Sequence, residues 1–153
     1  MNVVFEIFGS VFYVAQKWQN ISDKTIVPMM GMTVKQWMLI VVLEKFFPDY
    51  PPTINQAAEA YGASRQNIKR MASDMQKNKL VILAPDPDDK RIQRLVLTGK
   101  HRPHFEGEEN ARLHSQFIME FFKGVSKTEM ERFNATLKKL TTQIEAIENK
   151  SKQ

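Results

Sequence analysis

The chain has 153 residues, a net charge of +5, 42% hydrophobic and 25% charged residues, and no cysteine. Those proportions suit a soluble globular domain with a sizeable core and argue against global disorder. The missing thiols exclude disulfides, thiolate metal sites, cysteine nucleophiles and cysteine-based redox sensing.

The first 20 residues are apolar, but Glu6, Gln16 and Lys17 interrupt them. A basic leader and a small-residue cleavage site are both lacking, so neither a signal peptide nor a membrane span is expected, and a cytoplasmic location is. Val4, Phe8, Val11, Ala15 and Trp18 recur every three or four residues, predicting a helix over 2–20. Residues 21–32, with Pro28 and Gly31, read as a connection. Thr33-Val34-Lys35-Gln36 is a capping box that opens a helix to about Phe46, apolar on nearly every side and so expected to be central and buried.

Thr53-Ile54-Asn55-Gln56 repeats the capping box and opens a short helix with Ala57, Ala58 and Tyr61 inward. Gly62-Ala63-Ser64 reads as a turn and cap, and Arg65 to Asn78 as a second helix. Ile68, Met71 and Met75 share one face of it, while Arg65, Gln66, Lys69 and Arg70 lie elsewhere in its first turns. Val81–Leu83 and Leu95–Leu97 read as strands flanking the charged tip Asp86-Pro87-Asp88-Asp89-Lys90-Arg91. Thr98 is expected to cap a helix to about Lys123, disturbed early by Pro103 and Gly107. Gly124 ends it, and Ser126-Lys127-Thr128-Glu129 opens a last helix. Met130, Phe133, Leu137, Leu140, Ile144 and Ile147 form a heptad seam there, which requires another helix.

Charge is unevenly spread. Residues 64–102 hold ten Lys/Arg against four Asp, residues 1–63 four against five acids, and residues 103–153 eight against eight. The basic excess therefore sits on the helix-turn-helix and hairpin, where it would recruit a polyanion. Arg65 and Arg70 can donate bidentately to guanine, and Gln66 or Asn67 to adenine. No Ser–His pairing or Gly-rich phosphate loop is evident, so neither an enzyme nor a cofactor is expected.

These motifs resemble those of the MarR family of transcription regulators. The resemblance rests on Met32 to Trp37, on the helix-turn-helix from Thr53 to Leu80, and on Asp86-Pro87-Asp88-Asp89-Lys90-Arg91 followed by Leu97-Thr98. It implies a mainly α fold with a small β-wing, one domain over 1–153. The winged helix would occupy 33–98, and the dimerisation helices 2–20 and 99–149. It further implies a homodimeric, sequence-specific regulator of double-stranded DNA, more a repressor than an activator, binding a pseudo-palindromic operator.

Under the resemblance Ser64, Arg65, Gln66, Asn67, Lys69 and Arg70 would meet the major groove. Lys90 and Arg91 would reach the neighbouring minor groove or phosphates, with Asp89 holding the wing in shape. A small-molecule effector would find Phe12, Trp18, Met30 and Trp37, although aromatic and methionine side chains at helical spacing are more often core. The family also suggests a metal reading of His101, His104 and His114, beside Glu106, Glu108 and Glu109. The bland reading of surface histidines is preferred, and no metal site is expected. Asn78-Lys79 stands where the family usually has glycine, and Asn78 is expected to take the left-handed conformation. The alternatives are a winged-helix protein-interaction module or antagonist without operator binding, and a non-specific architectural DNA-binding protein.

Overall fold

The computed structural model describes residues 2–105 and 108–151, without the side chains of Ile26, His104, Phe105, Asn110 and Ala111. It is mainly helical with one two-stranded antiparallel sheet, as expected. The elements are α1 (Val3–Met30), α2 (Val34–Phe46), α3 (Ile54–Tyr61), α4 (Arg65–Lys77), β1 (Val81–Pro85), β2 (Gln93–Leu97), α5 (Arg102–Phe105), α6 (Glu108–Glu120) and α7 (Lys127–Ser151). Two compact units divide near residue 106.

In the first unit, α1 begins at Asn2, whose side chain accepts the Val4 N–H at 3.0 Å. The helix runs ten residues further than its apolar spacing predicts, through the segment expected as a connection. Residues 21–27 contain no breaker, and Pro28 falls in the last turn, where its missing N–H forfeits only one helical bond. Termination waits for Gly31, at φ 65°. Asp23 Oδ1 accepts the Val34 N–H at 2.7 Å, placing a carboxylate on the positive end of α2.

The α2 capping box forms as read: Thr33 Oγ1 accepts the Gln36 N–H at 3.2 Å, and Gln36 Oε1 accepts the Thr33 N–H at 2.9 Å. Only one face of α2 is buried, through Gln36, Leu39, Ile40 and Leu43. Met38, Val41 and Phe46 stay exposed, against the expectation of burial all round. A helix apolar at every position from 37 to 43 has more greasy surface than its neighbours in this unit cover.

Small residues let α3 and α4 cross closely: Ala57, Ala58 and Ala72 are buried beside Ile54, Ile68 and Met75. The core continues into Leu80, Val81 and Leu95. Strand register runs from Val81↔Leu97 to Pro85↔Gln93. A two-stranded hairpin alone is marginal in water, but this one gains a third edge. The Leu95 N–H donates to Pro52 O at 2.9 Å, and Thr53 bridges Arg94.

The exit from α4 departs from expectation. Asn78 has ordinary backbone (φ −86°), and Lys79 takes the left-handed conformation at φ 58°. The Lys79 N–H donates to Gln76 O and the Leu80 N–H to Met75 O, each at 2.9 Å, a Schellman closure that needs its left-handed residue at 79. Without glycine this costs roughly 1–2 kcal/mol.

Thr98 does not cap a helix. Its hydroxyl donates to Lys79 O at 2.7 Å and accepts the Lys100 N–H at 3.2 Å, and Gly99 turns the chain at φ 78°. The helix expected from Thr98 to Lys123 is thereby delayed, and its described residues are helical over Arg102–Phe105 and Glu108–Glu120. Pro103 sits in the first turn of α5, where a missing N–H is harmless. Gly107 and Glu106 lie outside the described residues. In the second unit, α6 tightens into i→i+3 bonds at Phe121 and Phe122 and ends at Gly124 (φ 84°). The Ser126–Glu129 capping box then opens α7, whose described residues include no buried side chain.

Candidate nucleic-acid interface

Ser64 is the N-cap of α4, its Oγ accepting the Asn67 N–H at 3.2 Å. With Ile68, Ala72 and Met75 anchored in the core, the helix presents Arg65, Gln66, Asn67, Lys69 and Arg70 to solvent. Arg65 and Lys69 stand four residues apart on one stripe, Gln66 and Arg70 on the next. Among the described residues none of these cations is paired with a carboxylate. The face is a set of uncommitted donors.

The wing is the opposite. Asp86 is 5% exposed and gathers its neighbours: Oδ1 accepts the N–H groups of Asp88 at 2.8 Å and Asp89 at 3.0 Å, and Oδ2 accepts from Arg94 Nε. Arg94 also donates to Pro51 O at 2.8 Å, tying the hairpin to the lead-in of α3. Asp89 receives Arg91 bidentately, Nε at 3.0 Å and Nη2 at 3.1 Å, as well as the Arg91 backbone N–H. Asp89 and Arg91 are thus paired within the wing.

The N–H groups of Asp89 and Asp88, with the Arg94 guanidinium, hold Asp86 below the ordinary carboxylate range. Arg91 does the same for Asp89, which in turn raises Arg91. The buried Asp86–Arg94 pair was not singled out from the sequence. The signal existed, because continuing the Val81–Leu83 and Leu95–Leu97 pairing outward brings Arg94 opposite Ala84, two residues before Asp86.

Helix and wing converge. A recess of about 180 Å³ is bounded by Arg65 and Lys69 of α4, Arg91 of the wing, and Thr53, Ile54 and Asn55 at the start of α3. Three cationic side chains thus border a space that the positive end of a helix also enters. Ser64, Gln66, Asn67, Arg70 and Lys90 do not line it.

Of the three cavities described among residues 30–102, none is lined by Phe12, Trp18 or Trp37, and one is lined by Met30. Phe12 is exposed on α1, edge-on to Phe8 at 5.0 Å, and Trp18 is half-buried on the same helix. Trp37 packs against the core, and Met30 is buried at the end of α1. A larger cavity, about 420 Å³, lies instead between the end of α2, residues 47–52 and β2, and includes none of the four.

His101 is not a surface histidine. It is 2% exposed, with Nε2 at 2.8 Å from Glu44 Oε1, because the turn after Gly99 folds it against α2. His114 is half-buried on α6, and the His104 side chain lies outside the described residues. Among the described residues no three His, Asp or Glu side chains gather closely enough to hold a metal ion. No helix among them is long and apolar enough to cross a membrane.

A capped support helix, a tight turn, a donor-rich second helix and a charged hairpin define a winged helix-turn-helix protein. The MarR family model matches residues 30–92, the stretch that holds most of this winged helix-turn-helix. The chain is similar in fold to a MarR/EmrR family transcriptional regulator from Acinetobacter sp. ADP1, at TM-score 0.70 and 16% identity, covering 95% of this chain and 99% of that one. It is similar to BpsR of Bordetella bronchiseptica, whose DNA binding is regulated by 6-hydroxynicotinic acid (TM-score 0.70, 18% identity, 89% and 98% covered). It also resembles MepR of S. aureus in complex with DNA (TM-score 0.67, 16% identity, 90% and 97% covered). No curated protein is similar to it in sequence.

Proposed function

We propose that the protein is a cytoplasmic transcription repressor that binds a pseudo-palindromic operator in double-stranded DNA as a homodimer. The observation that carries this reading is the recess where Arg65 and Lys69 meet Arg91 beside the start of α3. Its size and sign suit a phosphate of the DNA backbone. A duplex seated there has α4 along the major groove, with Ser64, Arg65, Gln66, Asn67, Lys69 and Arg70 at base edges and flanking phosphates. Lys90 and Arg91 then reach the adjacent minor groove, and Asp89 steers Arg91 rather than touching DNA.

Two such heads need a separation of about 34–36 Å to enter successive major grooves on one face of the duplex. The exposed apolar residues of α1 and α7 supply the dimer contact in this reading, and occlusion of a promoter supplies repression. A small molecule that favours a different separation releases the DNA, to the extent that its affinity differs between the two states. The relative regulated by 6-hydroxynicotinic acid supports such a route.

Fluorescence anisotropy tests the assignment. Arg91→Ala weakens binding to every duplex and lowers the slope of log affinity against log salt by about one contact. Unchanged affinity and slope reject the wing contact. An absence of salt-sensitive affinity for any duplex in the unmodified protein rejects the function.

A further inference from the structure

At the far end of α4 one side chain spans an opening between elements. A cavity of about 310 Å³ is bounded by Met30 and Gly31 at the close of α1, by residues 77–80, and by Lys100. Asn78 Nδ2 donates across to Gly31 O at 3.2 Å, and the backbone carbonyl of Asn78 accepts Lys100 Nζ at 3.0 Å. One residue therefore holds α1 through its amide and the turn after the wing through its backbone. Gly31 is the C-cap of α1, among the terminal carbonyls that a helix cannot satisfy internally, so a donor from outside is a geometrically specific partner.

The backbone makes this arrangement possible. Helix α4 ends through a left-handed residue, and the chain places it at Lys79, leaving Asn78 in an ordinary conformation with its amide directed at α1. A glycine at 78 would have no side chain with which to make the bond. Open space lies beside this bond, so it adds a directional constraint to the buried packing of Met30 at the end of α1.

We infer that Asn78 is a positioning residue, whose bond to Gly31 fixes the angle of the DNA-reading helix α4 relative to α1. The inference rests on the proposed dimeric DNA-binding function for its consequence: α1 belongs to the dimer contact, so this bond carries the dimer geometry to the reading head. Losing it leaves each head able to bind but no longer aimed at a defined spacing.

Two measurements test this on the full chain. Because the chain has no cysteine, Lys24→Cys and Gln76→Cys place nitroxide labels on the exposed faces of α1 and α4, and dilution with unlabelled protein isolates the distance within one chain. Asn78→Ala should broaden that distance distribution, whereas Lys79→Gly, which keeps the amide, should not. An unchanged distribution in Asn78→Ala overturns the inference whatever happens with DNA.

For the second, a palindromic duplex is selected from a random library by the unmodified protein and compared with its single half-site. Asn78→Ala should weaken the palindrome by about tenfold, the scale of one hydrogen bond. Its half-site affinity should stay within about twofold, and it should accept half-sites one base pair closer or farther apart. Equal losses on both duplexes mark a general destabilisation and overturn the inference. If the unmodified protein selects no duplex while the distribution still broadens, the DNA-binding reading fails and the positioning role of Asn78 stands.

Discussion

Helices α4 and α7 have similar apolar spacing and opposite fates. In α4 the residues Ile68, Ala72 and Met75 are each 0% exposed, sealed by α3 and β1. In α7 the seam from Phe133 to Ile147 is 38–66% exposed along its length. Amphipathic spacing says that a face must be covered; it does not say by what. The apolar face of α4 is covered within its own unit, whereas the seam of α7 stays exposed among the described residues.

That contrast can be broken most directly at α7. Replacing Leu137 and Leu140 with Glu should convert dimer to monomer by light scattering, with operator affinity falling about 10²-fold as avidity is lost. The winged helix should remain folded by circular dichroism. A double mutant that stays dimeric places the contact elsewhere. The converse change belongs in α4: Ile68→Ala should cost about 2–5 kcal/mol in chemical denaturation, because it opens a cavity in a filled core. A loss under about 1 kcal/mol would mean that the head is not closed on itself.

Acid sharpens the contrast with a smaller effect. Asp86 and Asp89 have folded pKa values below the unfolded ones, so their stabilisation is complete above the unfolded value, about 3.9. It is lost as pH falls from there through the folded values. Hydrogen exchange at the Asp88 and Asp89 amides, normalised for intrinsic rates, should be constant from pH 7 to 5 and accelerate below pH 4. Acceleration already at pH 6 would assign the wing's order to another group.

Much of the winged helix was legible because its signals are local. Capping boxes at Thr33, Thr53 and Ser126, the glycine at 62 and the alternation around the wing each act within a few residues. The α1 boundary misled because Pro28 resembles a breaker, yet is tolerated so near a helix end. Thr98 and His101 misled for another reason. Their conformations are set by partners far away in the chain: Thr98 by the Lys79 carbonyl, and His101 by Glu44. The Arg94–Asp86 contact needed strand register, which follows only once both strands are paired.

The bond from Arg94 to Pro51 has a consequence for how this scaffold can diversify. The base of the hairpin is anchored to the segment entering α3, while the tip from Pro87 to Lys90 contributes nothing to the core. Insertions at the tip that keep the Asp89–Arg91 pair therefore leave the packing of α4 undisturbed. If the protein binds DNA as proposed, preference for sequence flanking the operator would change by loop replacement alone.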